Sequence, residues 1–600
     1  MYTQNQPFAL IEKDGIVTHY SGEIQRLHSL EELKKLSQSR VEEIIFMNPF
    51  RTIRERGYEA HGDESILALV VSEKFSFSKD EILTSLADMK NPELSDFSPS
   101  ISDADYMSRV TEIQKNEIAG GNICQMIFSR SLTAHLASDP IEAAFATYRN
   151  LLTQKGQYMT FLFSDGSENI FVSATPEEHL GIRGDTVSMM PIAGTMRKGD
   201  LGDLKDRLRL FLTDTKEINE LAQVLDEELK MMERICDQGG RIEGPFLRQN
   251  GAVIHTEYRL IGTKKSGAHP IDLLRETLHA PTLTGGPIQS AASRIAQYEG
   301  ESRGYYGGEI GILKPDGDLD TAISIRMAHF IGNSVRVRSG AGIVRDSTPE
   351  GELREVGIKA QGIISAIHGT ITETPDVRDI VSDPEILELL RDRNKDLSRF
   401  HFESQGTRES ILELIGKKAV IIDNKDNFSS MIARMMRVMG MEVEVIPTAD
   451  FSSLNHLPDI VILGPGPGDI GDSLDTKMQL LREHTRVMLG KKQKVLGICL
   501  GHQAIAGALG YEIGRLETPM QGIQEKISIA QMDGRGREVR LGFYNSFIPY
   551  PRNAGGKKTP LFHMTGKDVS SFQFHPESVM SQYGYDILTD RLMYMLSDAE

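Results

Sequence analysis

Residues 497–503 read GICLGHQ and separate an apolar run, KVLGI (494–498), from a run of small and apolar residues, QAIAGALG (503–510). An apolar run, a cysteine flanked by glycines and then helix-forming residues predict a strand, a sharp turn and a helix. Such a turn exposes a nucleophile at the end of a sheet. The pattern continues upstream. KKAVIIDN (417–424), FSSMIARMMRVMG (428–440), EVEVIP (442–447) and DIVILGPGPG (459–468) alternate strand-like with helix-like segments. Strands alternating with helices predict an α/β doubly wound parallel sheet, here over residues 417–600.

The rest of the chain is built differently. QYMTFLF (157–163), NIFVSA (169–174) and SVRVRSGAGIV (334–344) are strand-like, and INELAQVLDEELKMMERI (218–235) has helical periodicity. Residues 1–365 therefore read as a large α+β domain with antiparallel strands. Residues 366–416 are polar and charged, with one amphipathic stretch at ILELLRDRNKDLSRF (386–400), and read as a linker. A chain of 600 residues exceeds one core, and about two to four structural units are expected.

Composition narrows the function classes. The formal charge is −18, from 67 Lys and Arg against 85 Asp and Glu, which argues against binding nucleic acid through its phosphates. No apolar run approaches the ~20 residues that cross a bilayer. The start, MYTQNQPFALIEKDG, lacks a basic region followed by a long apolar core. Three cysteines, Cys124, Cys236 and Cys499, build neither a disulfide framework nor a CxxC zinc site. A cytoplasmic enzyme without membrane or nucleic-acid partners is expected.

Context singles out Cys499. A thiolate nucleophile needs a base, and the base needs a group to orient it. FQFHPES (572–578) supplies His575 and Glu577, two apart and so on one face if the segment is a strand. GPGPGD (464–469) supplies a glycine-rich turn whose backbone can approach developing negative charge. Together, GICLGHQ, GPGPG and FHPES resemble the class I glutamine amidotransferases across 417–600. The resemblance implies attack of Cys499 on the glutamine side-chain amide, a glutamyl thioester and release of ammonia. His575 would be the acid/base and Glu577 its orienter. Gly466 and the Leu500 N–H would form the oxyanion hole, and Gln503 would contact L-glutamine, with YNSF (544–547) near the same pocket. Cys124 and Cys236 are expected to be packing residues.

In the first 365 residues the signals are dispersed. Glu217 and Glu220 in KEINE, and Glu352 and Glu355 in EGELREVGIK, share helix faces at a spacing of three. Two carboxylate pairs suit a hard divalent cation. SATPEEHL (173–180), PIAGTMRKG (191–199), VIHTEY (253–258), APTLTGGP (280–287), ESRGYYGGEIG (301–311), TAISIRMA (321–328) and SGAGIVRDSTPEGELREVGIKA (339–360) follow in an order that resembles the chorismate-utilising enzymes. The resemblance implies Mg²⁺ held by Glu220 and Glu355, with Glu217 and Glu352 acting through water. Tyr306, Arg326 and the Gly342 backbone would grip the enolpyruvyl carboxylate of chorismate, for which a guanidinium fork is suited. The Gly194 and Thr195 backbone and the Thr282 side chain would face the ring, and Lys359 would contact a carboxylate. Glu177 would protonate the hydroxyl leaving carbon 4, and His255 would face the ring.

Two positions bear on the nucleophile. Water-using relatives carry a lysine base where this chain has Gln125, and aminodeoxychorismate synthases often carry a lysine where it has Ala193. With neither lysine, ammonia is the expected nucleophile at carbon 2, in agreement with the amidotransferase that follows. FALIEKDG (8–15), NPFRTIRERGYEAHGDESILAL (48–69) and VLDEELKMMERICDQGGRIEGP (224–245) resemble the 2-amino-2-deoxyisochorismate synthases of phenazine-type biosynthesis. Anthranilate synthases usually show DLxRND in place of DEELKM, and GAPK where this chain has GGPI with Ile288. The catalytic residues named above are common to both groups, and an anthranilate synthase that also eliminates pyruvate is the alternative. Such enzymes are often homodimers, and the resemblance implies one here.

Overall fold

A computed structural model describes residues 6–199, 201–251, 253–371, 377–453, 458–530, 536–552 and 559–597. The chain forms two compact units, and neither is a single stretch of sequence. Residues 1–111, 126–217 and 244–391 form the first; residues 112–125, 218–243 and 392–600 form the second.

The first unit is an antiparallel β structure covered by helices. Strand Ser334–Ile343 pairs with Gln125–His135 along its whole length, from Ser334 opposite His135 to Ile343 opposite Met126. Met327–Ile331 joins Asn169–Thr175, which continues to Met159–Ser164 and Phe8–Lys13. These strands are apolar on both faces because both are covered. One face packs on helices Pro140–Leu152 and Pro349–His368 through Ala143, Tyr148, Leu151, Ala360, Ile363 and Ile367. The other contributes Phe161, Phe163 and Phe171 to an inner core with Ile45, Leu67 and Ile310.

Helix Pro349–His368 is bounded as its sequence requires. Thr348 caps it by accepting from Gly351 N, Pro349 opens it, and Gly369 closes it at φ 69°. Its boundaries fix where Glu352, Glu355 and Lys359 stand.

In the second unit, Lys418–Asp423, Glu442–Pro447, Ile460–Leu463, Val495–Ile498 and Val569–Phe572 form a parallel sheet with antiparallel His563–Met564 at its edge. Helices Phe428–Val438, Thr476–Gly490 and Leu500–Ala508 accompany it. A long antiparallel hairpin, Glu512–Ala530 with Gly536–Tyr550, carries YNSF. In the expected linker, Pro384–Asp392 is helical and buries Ile386 and Leu390; residues 372–376 lie outside the described residues. No described helix is long and apolar enough to cross a membrane.

Candidate functional site

In the second unit, Cys499 sits between strand Val495–Ile498 and helix Leu500–Ala508 at φ 52°, ψ −103°. This is a sparsely populated conformation for a residue with a side chain, costing roughly 1–3 kcal/mol. The flanking glycines make the turn possible. A Cβ on Gly501 would lie 2.1 Å from the Leu463 carbonyl oxygen, and one on Gly497 would lie 2.6 Å from that of Gly501. The Cys499 N–H donates to Phe572 O at 2.8 Å, tying the turn to the next strand. Sγ lies 3.7 Å from Tyr544 O and 3.8 Å from Gln573 Nε2.

His575 and Glu577 belong to no regular strand. They lie in a turn beyond Val569–Phe572, where His575 makes a single bridge to Gly542. The turn brings His575 Nδ1 within 2.8 Å of Glu577 Oε1. With Nδ1–H donating to the carboxylate, Nε2 is the ring nitrogen left available. Burial alone would lower the His575 pKa, but the charges of Glu577 and Cys499 raise it well above the usual imidazole range. These charges therefore favour the imidazolium form of His575.

The other residues named for this pocket lie around the same turn. Gly466 approaches so closely that a Cβ would lie 2.6 Å from Asn424 and 3.2 Å from Leu500 Cδ2. Leu500 is the first residue of its helix, where an N–H has no intrahelical acceptor. Gln503 donates to Phe547 O at 2.9 Å, leaving its buried Oε1 without a hydrogen bond.

The first unit brings together a second set. Glu177 is buried and accepts from Thr282 Oγ1 at 3.1 Å and Ile192 N at 3.4 Å. Burial pushes its carboxyl up to about 8, against the pull of these hydrogen bonds. A bulge at Gly194, with φ 77°, interrupts the pairing of Ile192–Arg197 with Val253–Thr263. It directs Gly194 O to His255 Nδ1 at 3.0 Å, with Thr195 Oγ1 at 3.2 Å. Nδ1 is the donor to that carbonyl, so Nε2 of the neutral ring bears a lone pair. That Nε2 is buried and has no hydrogen-bond partner. Burial, reinforced by Arg326, lowers His255 to about 3, and the ring stays neutral.

Arg326 adopts φ 49°. Burial lowers its pKa while Tyr306 and Glu355 oppose the shift. Tyr306 is buried, and burial raises its phenol. Lys359 Nζ lies 2.6 Å from Glu355 Oε1 and 3.3 Å from Gly340 O. Burial disfavours both charges, but each more than compensates the other: Glu355 is lowered and Lys359 raised. Gly342 lies on the neighbouring strand, its carbonyl 3.4 Å from Ser347 Oγ.

The chorismate-binding enzyme family matches residues 27–365, and the class I glutamine amidotransferase family matches residues 420–595. The chain belongs to the chorismate-binding enzymes. It joins that domain to a class I glutamine amidotransferase domain. Two relatives match along nearly the whole chain, both called anthranilate synthase, phenazine specific. The one from Pseudomonas chlororaphis is 35% identical, over 92% of this chain and 88% of the relative. The one from Pseudomonas fluorescens is 32% identical, over 98% and 95%. The menaquinone-specific isochorismate synthase of Escherichia coli shares the fold, with a TM-score of 0.52 and 20% identity over 61% of this chain and 89% of that one.

In the chorismate-binding domain, the carboxylates named for Mg²⁺ lie on two helices. Glu217 and Glu220 are one turn apart on Thr215–Ile235, and Glu352 and Glu355 one turn apart on Pro349–His368. A Cβ on Gly194 would lie 2.6 Å from Glu217 Oε2, which places Glu217 beside the bulge. Glu352 Oε2 is buried without a hydrogen-bond partner, and burial together with the Glu355 charge raises its carboxyl. Oxygen donors under like-charge repulsion suit a hard cation, which takes only one or two protein carboxylates. Among the described residues, no three His, Cys, Asp or Glu side chains converge as a ready-made metal cage. Gln125 is buried at the start of its strand, and Ala193 precedes the bulge and accepts from Thr256 Oγ1 at 2.8 Å.

Sequence reasoning missed several neighbours of the amidotransferase turn. Gln573 carried the signal of lying within FQFHPES. Phe428, whose ring centroid is 4.6 Å from that of His575, and Asp226 carried none.

Proposed function

We propose that this enzyme aminates chorismate at carbon 2, with ammonia from glutamine, and releases 2-amino-2-deoxyisochorismate for phenazine-type biosynthesis. The observation that carries this reading is the near-full-length likeness to the two phenazine-specific relatives. The functional division is a synthase domain at 1–365, a linker at 366–416 and an amidotransferase at 417–600, working as a cytoplasmic homodimer.

Cys499 Sγ attacks the amide carbon of glutamine, and the tetrahedral oxyanion is held by the backbone of Gly466 and Leu500. His575 Nε2 carries the thiol proton to the departing nitrogen, and Glu577 keeps Nδ1 occupied so that Nε2 faces the reaction. Ammonia leaves, and water hydrolyses the thioester to glutamate. In the synthase, Arg326, Tyr306 and Gly342 hold the enolpyruvyl carboxylate. Glu220 and Glu355 would hold Mg²⁺, with Glu217 and Glu352 supporting them. When bound, the cation supplies neutralising charge to the ring carboxylate. Glu177, protonated at neutral pH, gives its proton to the hydroxyl leaving carbon 4 while ammonia bonds at carbon 2. Gln125 and Ala193 offer no competing base or amine.

A second reading is elimination of pyruvate to give anthranilate. The residues assigned to the ring site, His255 with its free Nε2 lone pair included, serve either outcome. Incubation with chorismate, glutamine and Mg²⁺ decides between them. Loss of chorismate with a nonaromatic amino product and no pyruvate is expected; stoichiometric pyruvate with fluorescent anthranilate would establish the second reading.

A further inference from the structure

The second unit includes residues 218–243, far in sequence from the amidotransferase domain. Asp226 of this segment is fully buried. Its Oδ2 accepts from Tyr544 OH at 2.7 Å and Ser578 Oγ at 2.5 Å, and its Oδ1 accepts from Val579 N at 2.7 Å. Ser578 and Val579 directly follow Glu577. Tyr544 contributes the carbonyl beside Cys499 Sγ, and its ring stands edge-on to His575 with centroids 5.2 Å apart. One turn further along the helix, Lys230 Nζ lies 4.0 Å from the centroid of Phe428, a ring 4.6 Å from His575 and 5.2 Å from Tyr544. Lys230 is anchored by Glu227 at 2.5 Å and by Asp426 at 3.6 Å, and Asp426 accepts from Phe428 N at 3.0 Å.

We infer that Asp226 is a positioning residue for the glutaminase: its carboxylate sets the turn that holds Glu577 and His575, and the ring of Tyr544, against Cys499. Three donors from two separated segments converge on one carboxylate, and hydrogen bonds to a charged acceptor are among the stronger ones. Lys230 fixes the Phe428 ring, which packs 5.2 Å from that of Tyr544 and beside His575, from the same helix face at a spacing of four. The amidotransferase stretch 417–600 by itself lacks both supports.

The inference rests on the glutaminase reading, and full-length protein tests the two separately. Wild type must first hydrolyse glutamine; absence of that activity defeats the functional reading itself. Asp226→Asn presents an N–H₂ group toward converging donors. Its glutaminase kcat is expected to fall by about 10- to 100-fold, the cost of misplacing a catalytic group by about 1 Å. The KM for glutamine should stay within about threefold, as expected when an interaction acts mainly in the transition state. Chorismate turnover with ammonium salt is the control for folding. Cys499 alkylation by iodoacetamide reports the imidazolium partner directly: in the variant it should slow at neutral pH, with its pH midpoint moved upward. Ser578→Ala removes one of the three donors with little change in volume and covers the case in which Asp226→Asn does not fold. A smaller loss in the same two readouts is expected. Unchanged kcat and alkylation in a folded Asp226→Asn, or in Ser578→Ala if the former unfolds, would overturn the assignment.

Discussion

At the scale of single residues, environment separates groups that share a chemical type. Glu177 and Glu355 are both buried carboxylates, yet at Glu177 burial outweighs two hydrogen bonds and the Lys359 charge and raises it to about 8, while direct contact with Lys359 draws Glu355 downward. The sign follows for pH. Glu177 is protonated below about 8 and ionised above it, so ammonia-dependent turnover, normalised to free ammonia, should fall as pH rises through that value. Glu177→Gln should remove the dependence and cost about 10²- to 10⁴-fold in kcat. Cys499→Ala should abolish glutamine-dependent amination, a loss of at least about 10³-fold, and leave turnover with ammonium salt at raised pH. Simultaneous loss of both activities would show that the two chemistries are not divided as proposed. Legibility at this scale depended on neighbours in sequence. Cys499, His575 and Glu577 stand in short distinctive strings, whereas Asp226 meets partners 318 to 353 residues away and lies in a charged run, DEELK, of the kind that normally faces solvent.

At the scale of elements, a turn and two helices position the chemistry. The positive-φ conformation at Cys499 exists because Gly497 and Gly501 let strand and helix close to backbone contact. Gly501→Ala should therefore destabilise the second unit by about 1–3 kcal/mol and remove glutamine turnover, read from the denaturation midpoint and a glutaminase assay. Strand–turn–helix alternation made this element visible beforehand, because apolar period and glycine placement are local properties. The FHPES segment was less transparent. A spacing of two would place His575 and Glu577 on one face of a strand, but the residues meet through a turn after Phe572. Their side chains pair because the backbone folds back, which the spacing does not reveal.

At the scale of the whole molecule, two reactions share one chain, and metal dependence should distinguish them. Glu355→Ala, or removal of Mg²⁺ by chelation, should cripple chorismate consumption with either nitrogen source, by roughly 10²-fold or more for loss of a metal ligand and its charge. Retained Mg²⁺-dependent turnover in the variant would remove Glu355 from the metal site. The alternation of strands and helices after Lys417, the antiparallel strands before it and the motif strings of both domains are set by neighbouring residues and by recurring pattern, so the sequence by itself determined them. The membership of residues 112–125 and 218–243 in the second compact unit, and the convergence of Asp226 on the turn after Glu577, were decided only by tertiary structure. The physical reason is that a buried carboxylate is defined by the donors that reach it. Here those donors come from segments that meet only when the whole chain has folded.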